Sequence, residues 1–201
     1  MSKGRLEAFS DGVLAIIITI MVLELKVPHG DDIHSLQALV PRLLAYLVSF
    51  VFIGIYWSNH HHLLQAVRHV NGAVLWANLH LLFWLSLVPI ATDWVGETHF
   101  APWPVAGYGL VFLLAGVAYY ILTRTLITSQ GGDSVLAAAV GADAKGSASI
   151  ALYAFALPLA FVNRWVSCAL YVAVAIVWLI PDRRIERILM LRGEEERQGR
   201  K

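Results

Sequence analysis

Apolar residues fill long, nearly unbroken segments of the chain, and polar residues collect in the short stretches between them. A helix needs about 20 mostly apolar residues to span the hydrocarbon of a bilayer. Six segments approach that length, at about 8–27, 39–61, 73–94, 104–123, 147–162 and 165–180. Lipid offers the backbone no hydrogen-bond partners, and the alternating pattern of a strand is not found in the sequence. The pattern predicts an all-α integral membrane protein with six transmembrane helices.

Composition and charge add a topology to this picture. Of the 201 residues, 58% are hydrophobic and 14% are charged, which suits a lipid solvent. Six spans place both termini on one side, and that side carries twelve of the 15 lysines and arginines. The other side carries Lys26, Arg42 and Arg164. Because basic loops stay inside, we expect both termini to be cytoplasmic, most simply at a bacterial plasma membrane.

The spans and the tail divide the chain into two parts. Residues 1–181 form one six-helix unit, and residues 182–201 form a basic cytoplasmic tail. The tail places Ile185, Ile188 and Leu189 at helical spacing among arginines, as in an amphipathic helix on anionic headgroups. A plain positive-inside stop signal explains the same residues. Residues 124–146 are predicted to be a linker rich in small residues, and the net charge of +1 does not indicate nucleic-acid binding.

Polar and ionisable residues also lie inside the predicted spans. Asp11 falls within the first two turns of the first span, and His60 falls at a similar depth near the cytoplasmic end of the second. A charge at the bilayer centre costs at least ~2.5 kcal/mol, so both residues need partners inside the protein. Two interpretations remain: a buried network that fixes the first helix against the second, or a proton relay.

Three consecutive histidines, His60, His61 and His62, raise the question of a metal site. Successive residues on a helix point about 100° apart, so the three rings do not converge on one ion. Cysteine or carboxylate at ligand spacing does not accompany them. We therefore predict no metal and no cofactor, with one structural histidine and two at the interface.

The core of the first span carries a narrow stripe of four residues, Ile16, Thr19, Ile20 and Leu23. At about 100° per residue they share one face of the helix. The stripe is typical of a packing or lipid-facing surface. It also suits a pore, in which symmetric copies of the helix would stack apolar rings and one ring of hydroxyls. Apolar rings gate by dewetting, and hydroxyl oxygens partly replace the water around an ion.

Three short sequence motifs occur in the first three predicted spans. R-x-x-x-F-S-D-G opens the first span at residues 5–12, Y-W-x-x-H closes the second at 56–60, and N-L…L-x-P occupies the third at 78–89. Together they resemble the transmembrane protein 175 family, the endosomal and lysosomal potassium channels and their prokaryotic relatives. The resemblance implies a potassium-selective leak channel that is not an enzyme. It also implies a homotetramer around a central pore lined by the first helix.

The same resemblance implies roles for particular residues. Ile16 would form an apolar constriction, Thr19 the selectivity-associated hydroxyl ring and Leu23 a further apolar ring, with Ile20 between them. An intrasubunit polar network would contain Arg5, Phe9, Ser10, Asp11, Trp57, His60 and Asn78. His61 and His62 receive no role. The implied partners are further copies of the chain, the lipid bilayer and potassium ions.

Two other functions remain open at this point. A proton-coupled secondary transporter would use Asp11 and His60 as its relay, and it predicts broken helices in paired halves near the midplane. Pro89 and Pro158 are deep enough for such breaks but do not form paired halves. A membrane enzyme with a histidine-bound metal would need ligand spacing that this sequence does not offer.

Overall fold

The computed structural model describes residues 2–27, 33–67, 69–130 and 144–179, and they are almost entirely helical. The prediction of an all-α fold is confirmed. Turns and short connections separate the helices within these ranges. The helices are α1 (Lys3–Leu23), α2 (Ile33–Gln65), α3 (Gly72–Ser86), α4 (Val88–Glu97), α5 (Pro102–Gln130), α6 (Ala144–Val162) and α7 (Arg164–Leu179).

Most of these helices are long enough to cross a membrane. Within the described ranges, five segments combine sufficient length and apolar composition: α1, Leu39–Gln65 of α2, the unit Gly72–Glu97, α5 and α6. The sixth, α7, is apolar but has 16 residues, about 24 Å at 1.5 Å per residue. The protein is therefore an integral, multi-pass membrane protein.

The predicted third span is one transmembrane unit with a local break. Its helix changes from α3 to α4 at Leu87, whose N–H bonds the carbonyl of Trp84 at 3.2 Å. Pro89 follows in the first turn of α4, where its missing N–H is tolerated. Pro158 lies inside α6 without dividing it. The described helices therefore contain one proline-associated break and not the paired breaks of a transporter.

Contacts between helix ends show that neighbouring spans alternate in direction. Lys3 Nζ, at the start of α1, donates to the carbonyl of Gln65 at the end of α2, at 3.2 Å. At the opposite end, Arg42 near the start of α2 pairs with Glu97 at the end of α4, with 3.0 Å between Nη2 and Oε1. This alternation is the one that an up-and-down bundle requires.

The core is centred on α5, which packs against α3, α4 and α6. The inward face of α5 includes Phe112, Ala115, Ala118 and Leu122, all fully buried. Small residues along this face let neighbouring helices approach closely, which is how helices associate in lipid. Gly96 of α4 shows the same device, since a Cβ there would lie 2.7 Å from the Cα of Arg42.

The loop regions differ in part from expectation. The helix α5 continues to Gln130, past the predicted end at 123, and α6 begins at Ala144. Hydroxyls of Thr123, Thr125 and Thr128 donate to carbonyls four residues earlier, so the helix itself satisfies these polar side chains beyond the apolar segment. Residues 131–143 of the predicted linker and the whole predicted tail lie outside the described residues.

Candidate pore-lining face and buried polar network

The helix α1 has two different faces. One face is buried and carries Leu6, Ser10, Leu14, Ile17 and Met21, spaced three or four residues apart. This spacing places all five on one side of a helix. They pack against α2, α3 and α4, so this face anchors α1 within the protomer.

The opposite face carries the four residues of the stripe. The exposed fractions are 59% for Ile16, 41% for Ile20 and 75% for Leu23, and Thr19 is exposed as well. Thr19 Oγ1 donates to the carbonyl of Ala15 at 2.9 Å, which occupies its proton and leaves its lone pairs unused. The protomer thus leaves uncovered one face that holds three branched aliphatic side chains and one hydroxyl.

A buried hydrogen-bonded chain crosses three helices at one end of the bundle. His60 Nε2 on α2 donates to Asn78 Oδ1 on α3 at 2.7 Å. Asn78 Nδ2 donates to Ser10 Oγ on α1 at 2.9 Å, and Ser10 in turn donates to the carbonyl of Leu6 at 2.9 Å. All three side chains are buried. Because each of the three side chains has a hydrogen-bond partner, the chain ties α1, α2 and α3 together and offsets the cost of burying these polar groups.

A second pair lies on the exposed side of the same region. Trp57 Nε1 on α2 donates to Asp11 Oδ1 on α1 at 3.0 Å. The indole ring of Trp57 also stacks on His61, with 6.2 Å between ring centroids. The residues expected to form one network are therefore arranged as two groups, a buried chain and an exposed pair.

Two members of the expected network lie apart from both groups. Arg5 is exposed, and its side chain makes no hydrogen bond or ion pair with any residue in the described ranges. Phe9 is half exposed, on the uncovered side of α1. The structure of one protomer does not bring either side chain to Asn78 or Asp11.

The three consecutive histidines point in different directions. His60 enters the buried chain, while His61 Nε2 lies 2.8 Å from Gln65 Nε2. His62 Nδ1 is buried and has no hydrogen-bond partner among the described residues. Within the same residues, no group of three histidine, cysteine or acidic side chains is arranged to hold a metal ion.

A further polar cluster, which the sequence did not reveal, lies toward the other end of the bundle. Ser49 Oγ on α2 lies 2.7 Å from Thr92 Oγ1 on α4 and 3.0 Å from Tyr108 Oη on α5. Thr92 donates to the carbonyl of Val88, so Ser49 donates to Thr92 and accepts from Tyr108. Met21 Sδ of α1 lies 4.0 Å from Thr92 Oγ1. Isolated hydroxyl residues within apolar spans indicate in the sequence that buried hydrogen bonds exist, but they do not indicate which hydroxyls pair with each other.

Charged groups collect beside this cluster at the ends of α1, α2 and α4. Arg42 Nη2 lies 3.0 Å from Glu97 Oε1, and Arg42 Nε lies 3.9 Å from Asp93 Oδ1. Glu24, just after α1, lines a small pocket with Arg42 and Asp93. Burial, and then the nearby Asp93 carboxylate, raise the pKa of Glu24 above its ordinary value. Glu24 therefore belongs to the packed side of α1.

Comparison with known proteins places this architecture in a family. The family described as "Endosomal/lysosomal potassium channel TMEM175" matches residues 5–89, which include every candidate site residue. A potassium channel of Chryseobacterium sp. (strain P1-3) is 56% identical over 189 residues, covering 94% of this chain and 98% of that protein. The chain belongs to the TMEM175 family.

Solved and animal members of the TMEM175 family extend the comparison. The crystal structure of a lysosomal potassium-selective channel TMEM175 homolog from Chamaesiphon minutus is similar, with a TM-score of 0.78 and 31% identity. The likeness covers 90% of this chain and 97% of that one. The human protein named endosomal/lysosomal proton channel TMEM175 is 37% identical over 103 residues, 45% of this chain and 20% of its own length. The chain thus matches about a fifth of that longer relative.

Proposed function

We propose that this protein is a potassium channel in which four copies surround an axis and α1 of each copy lines the pore. The observation that carries the proposal is the uncovered face of α1 with Ile16, Thr19, Ile20 and Leu23. The family relationship supports it, because bacterial relatives along most of this chain are named potassium channels.

The exposed side chains of α3 and α5 differ from those of α1. Large aromatics are prominent there, with Trp76 and Phe83 exposed on α3 and Trp103 exposed on α5. Such rings suit contact with lipid and the membrane interface. The uncovered face of α1 has only aliphatic side chains and one hydroxyl along its central turns. Gly12 lies on this exposed side as well, with no atom within 4 Å of its Cβ position, so a neighbouring helix has room to approach.

The proposed pathway passes apolar rings and one polar ring. Ile16, Ile20 and Leu23 form constrictions that empty of water when they narrow, which is how an apolar gate closes. Thr19 offers lone pairs because its proton is held by the carbonyl of Ala15. Four hydroxyl oxygens replace only part of the hydration shell of potassium, so selectivity over sodium is modest.

The proposed orientation follows the distribution of basic residues. Lys3, Arg124 and Lys145 lie toward the bundle end that also holds the chain's N-terminus, and Arg42 and Arg164 lie toward the opposite end. With the more basic side in the cytoplasm, both termini and the basic tail are cytoplasmic, most simply at a bacterial plasma membrane.

Protons are the second candidate permeant ion. The animal relatives are named proton channels, and Asp11 lies near the cytoplasmic end of α1. A coupled transporter is the less supported form of this idea. A relay from Asp11 to His60 would have to pass between two separate groups, since Asp11 bonds Trp57 and His60 bonds Asn78.

Flux into liposomes tests the proposed function. Purified protein is reconstituted, and potassium, sodium and proton gradients are imposed one at a time. The proposal expects uncoupled, non-saturating potassium flux that exceeds sodium flux. Saturable potassium flux that requires a proton gradient would support the transporter, and proton flux alone would replace potassium as the permeant ion.

A further inference from the structure

A cavity away from α1 lies between α2, α5, α6 and α7. Its volume of about 50 Å³ is several times what one water molecule needs. Its walls are mostly aromatic and aliphatic. They include Phe52, Tyr56, Tyr119, Tyr120, Tyr153 and Trp178.

Several polar atoms on this cavity have no hydrogen-bond partner among the described residues. The hydroxyls of Tyr56, Tyr120 and Tyr153 make no hydrogen bond with any described residue. By contrast, the hydroxyls of Tyr108 and Tyr171, buried elsewhere in the same bundle, do have partners. Unpaired phenols along one apolar cavity indicate an occupant that accepts hydrogen bonds.

A lateral groove adjoins the cavity. It lies between α2 and α7, has a volume of about 290 Å³ and shares Ile55, Asn59 and Trp178 with the cavity wall. His62 lines this groove, and its Nδ1 is the one buried side-chain polar atom without a partner in the described part of the chain. The groove connects the cavity to the side of the bundle, where the bilayer lies.

Two cations stand at one end of the cavity, each over an aromatic ring of its wall. The Arg124 guanidinium lies 5.0 Å from the centroid of Tyr120, and Lys145 Nζ lies 4.9 Å from that of Trp178. Cation–π contacts of this kind hold the charged heads close to the wall. Two basic side chains therefore stand beside the end of the cavity that contains Tyr120 and Trp178.

We propose that this cavity binds one anionic glycerophospholipid from the surrounding leaflet. An acyl chain fills the aromatic part and enters through the lateral groove. The ester carbonyls accept hydrogen bonds from the cavity phenols, including Tyr56, and the phosphate lies near Arg124 and Lys145. The lipid chemistry explains the apolar walls, the unpaired donors and the two cations together, whereas a hydrated ion would meet mostly apolar surface.

Native mass spectrometry of the purified full-length protein tests this site. The protein is titrated with phosphatidylglycerol, phosphatidylcholine and inorganic phosphate in separate experiments. We expect phosphatidylglycerol to bind preferentially, and each replacement, Arg124→Gln or Lys145→Gln, to weaken it about fivefold. Arg164→Gln is the matched control, because Arg164 lies over Trp165 at 5.4 Å near the other end of α7 and should leave binding unchanged.

Two further variants address the cavity itself. Gly116→Leu places a side chain in the cavity, where even a Cβ would lie 3.7 Å from Ile150 and 3.9 Å from the Tyr56 hydroxyl. It should displace the lipid. If it does not fold, Tyr56→Phe removes only a hydroxyl and should weaken binding, with Tyr46→Phe outside the cavity as the control.

Three results would overturn the proposal. Equal binding of phosphatidylglycerol and phosphatidylcholine would remove the role of the two cations. An equal shift with inorganic phosphate would assign the charged end to a free anion. Unchanged lipid binding in both Gly116→Leu and Tyr56→Phe would place the lipid elsewhere and leave the cavity to water.

Discussion

The two faces of α1 differ in where their side chains find contacts. On the buried face, Ser10 joins a closed hydrogen-bonded chain, and Ile17 is 3% exposed. On the uncovered face, the adjacent Ile16 is 59% exposed and Thr19 bonds only its own helix. The first face has its partners within the protomer. The second has none there, so its role depends on what surrounds the protomer.

If the protein assembles and conducts as proposed, the contrast separates folding from assembly and conduction. Changes on the buried face should lower the stability of a single protomer. Changes on the uncovered face should leave that stability unchanged and alter the proposed tetramer or its flux. The predictions below compare the two faces in order of their expected effect on the free energy of unfolding.

Asn78→Ala should have the largest effect. It removes two hydrogen bonds and leaves His60 and Ser10 buried without their partner, at a cost of about 2–5 kcal/mol. The loss of stability is measured by heating the protein and quantifying the remaining folded fraction by size-exclusion chromatography. Ser86→Ala is the control, since Ser86 is exposed and bonds only its own helix. A folded Asn78→Ala protein of normal stability would show that the buried chain does not anchor α1.

Ile17→Ala and Ile16→Ala form a matched pair of neighbours. Ile17→Ala opens a cavity in the packed face and should cost about 2 kcal/mol, even though helices in lipid gain little from the hydrophobic effect. Ile16→Ala should leave unfolding unchanged and raise flux by widening a constriction. Unfolding temperature and liposome flux are measured for both variants. Reversed results would exchange the roles assigned to the two faces.

Asp11 lies at the boundary between the two faces of α1. Asp11→Ala breaks the hydrogen bond from Trp57 and should lower the free energy of unfolding by about 1 kcal/mol, because the pair is partly exposed. We expect a smaller yield of assembled protein with normal flux per assembled channel. Trp57→Phe should give the same loss, and the double variant should add little to it. An assembled Asp11→Ala channel with altered ion preference would assign Asp11 to the pathway instead.

Glu24→Gln tests the charged group that follows the buried face of α1. The pKa of Glu24 is raised above 4.5 by burial and then by Asp93, so its charged form is disfavoured in the folded protein. Its contribution to stability is present below pH 4.5 and is lost as the pH rises through the raised pKa. Glu24→Gln should therefore be slightly more stable than the parent at neutral pH and no more stable at pH 4, with unchanged flux. Unfolding temperatures across this pH range would detect the difference.

Thr19→Ala should have the smallest effect on stability, within about 0.5 kcal/mol, because the side chain is exposed. Its expected effect is on permeation: the preference for potassium over sodium should fall. Thr19→Ser keeps the hydroxyl and should keep most of the preference. Equal permeability ratios in the parent and Thr19→Ala would remove Thr19 from the selectivity mechanism.

The sequence predicts features that depend on one helix better than those that depend on several. Placing Ile16, Thr19 and Leu23 on one face needed only the helical repeat. Recognising Asp11 and His60 as members of separate groups required the packing of α2 and α3. The Ser49–Thr92 contact joins residues 43 positions apart, and no local pattern pairs them.

The ends of elements show a similar limit. Arg124 begins a polar stretch that the sequence predicts to be a linker, yet α5 continues to Gln130, and the hydroxyl of Thr128 bonds the backbone of its own helix. Apolar length measures the part of a helix in lipid and not the whole helix.

The ties at Ser10 and Met21 have a mechanical consequence. Ser10 accepts a hydrogen bond from Asn78 of α3, and Met21 contacts Thr92 of α4. Ser10 and Met21 are about 16 Å apart along α1, at 1.5 Å per residue. A helix held at two such points does not pivot independently of the rest of its protomer. In the proposed tetramer, widening of the pore is therefore expected to come from whole subunits sliding or tilting past one another, or from side chains turning, with α1 kept straight.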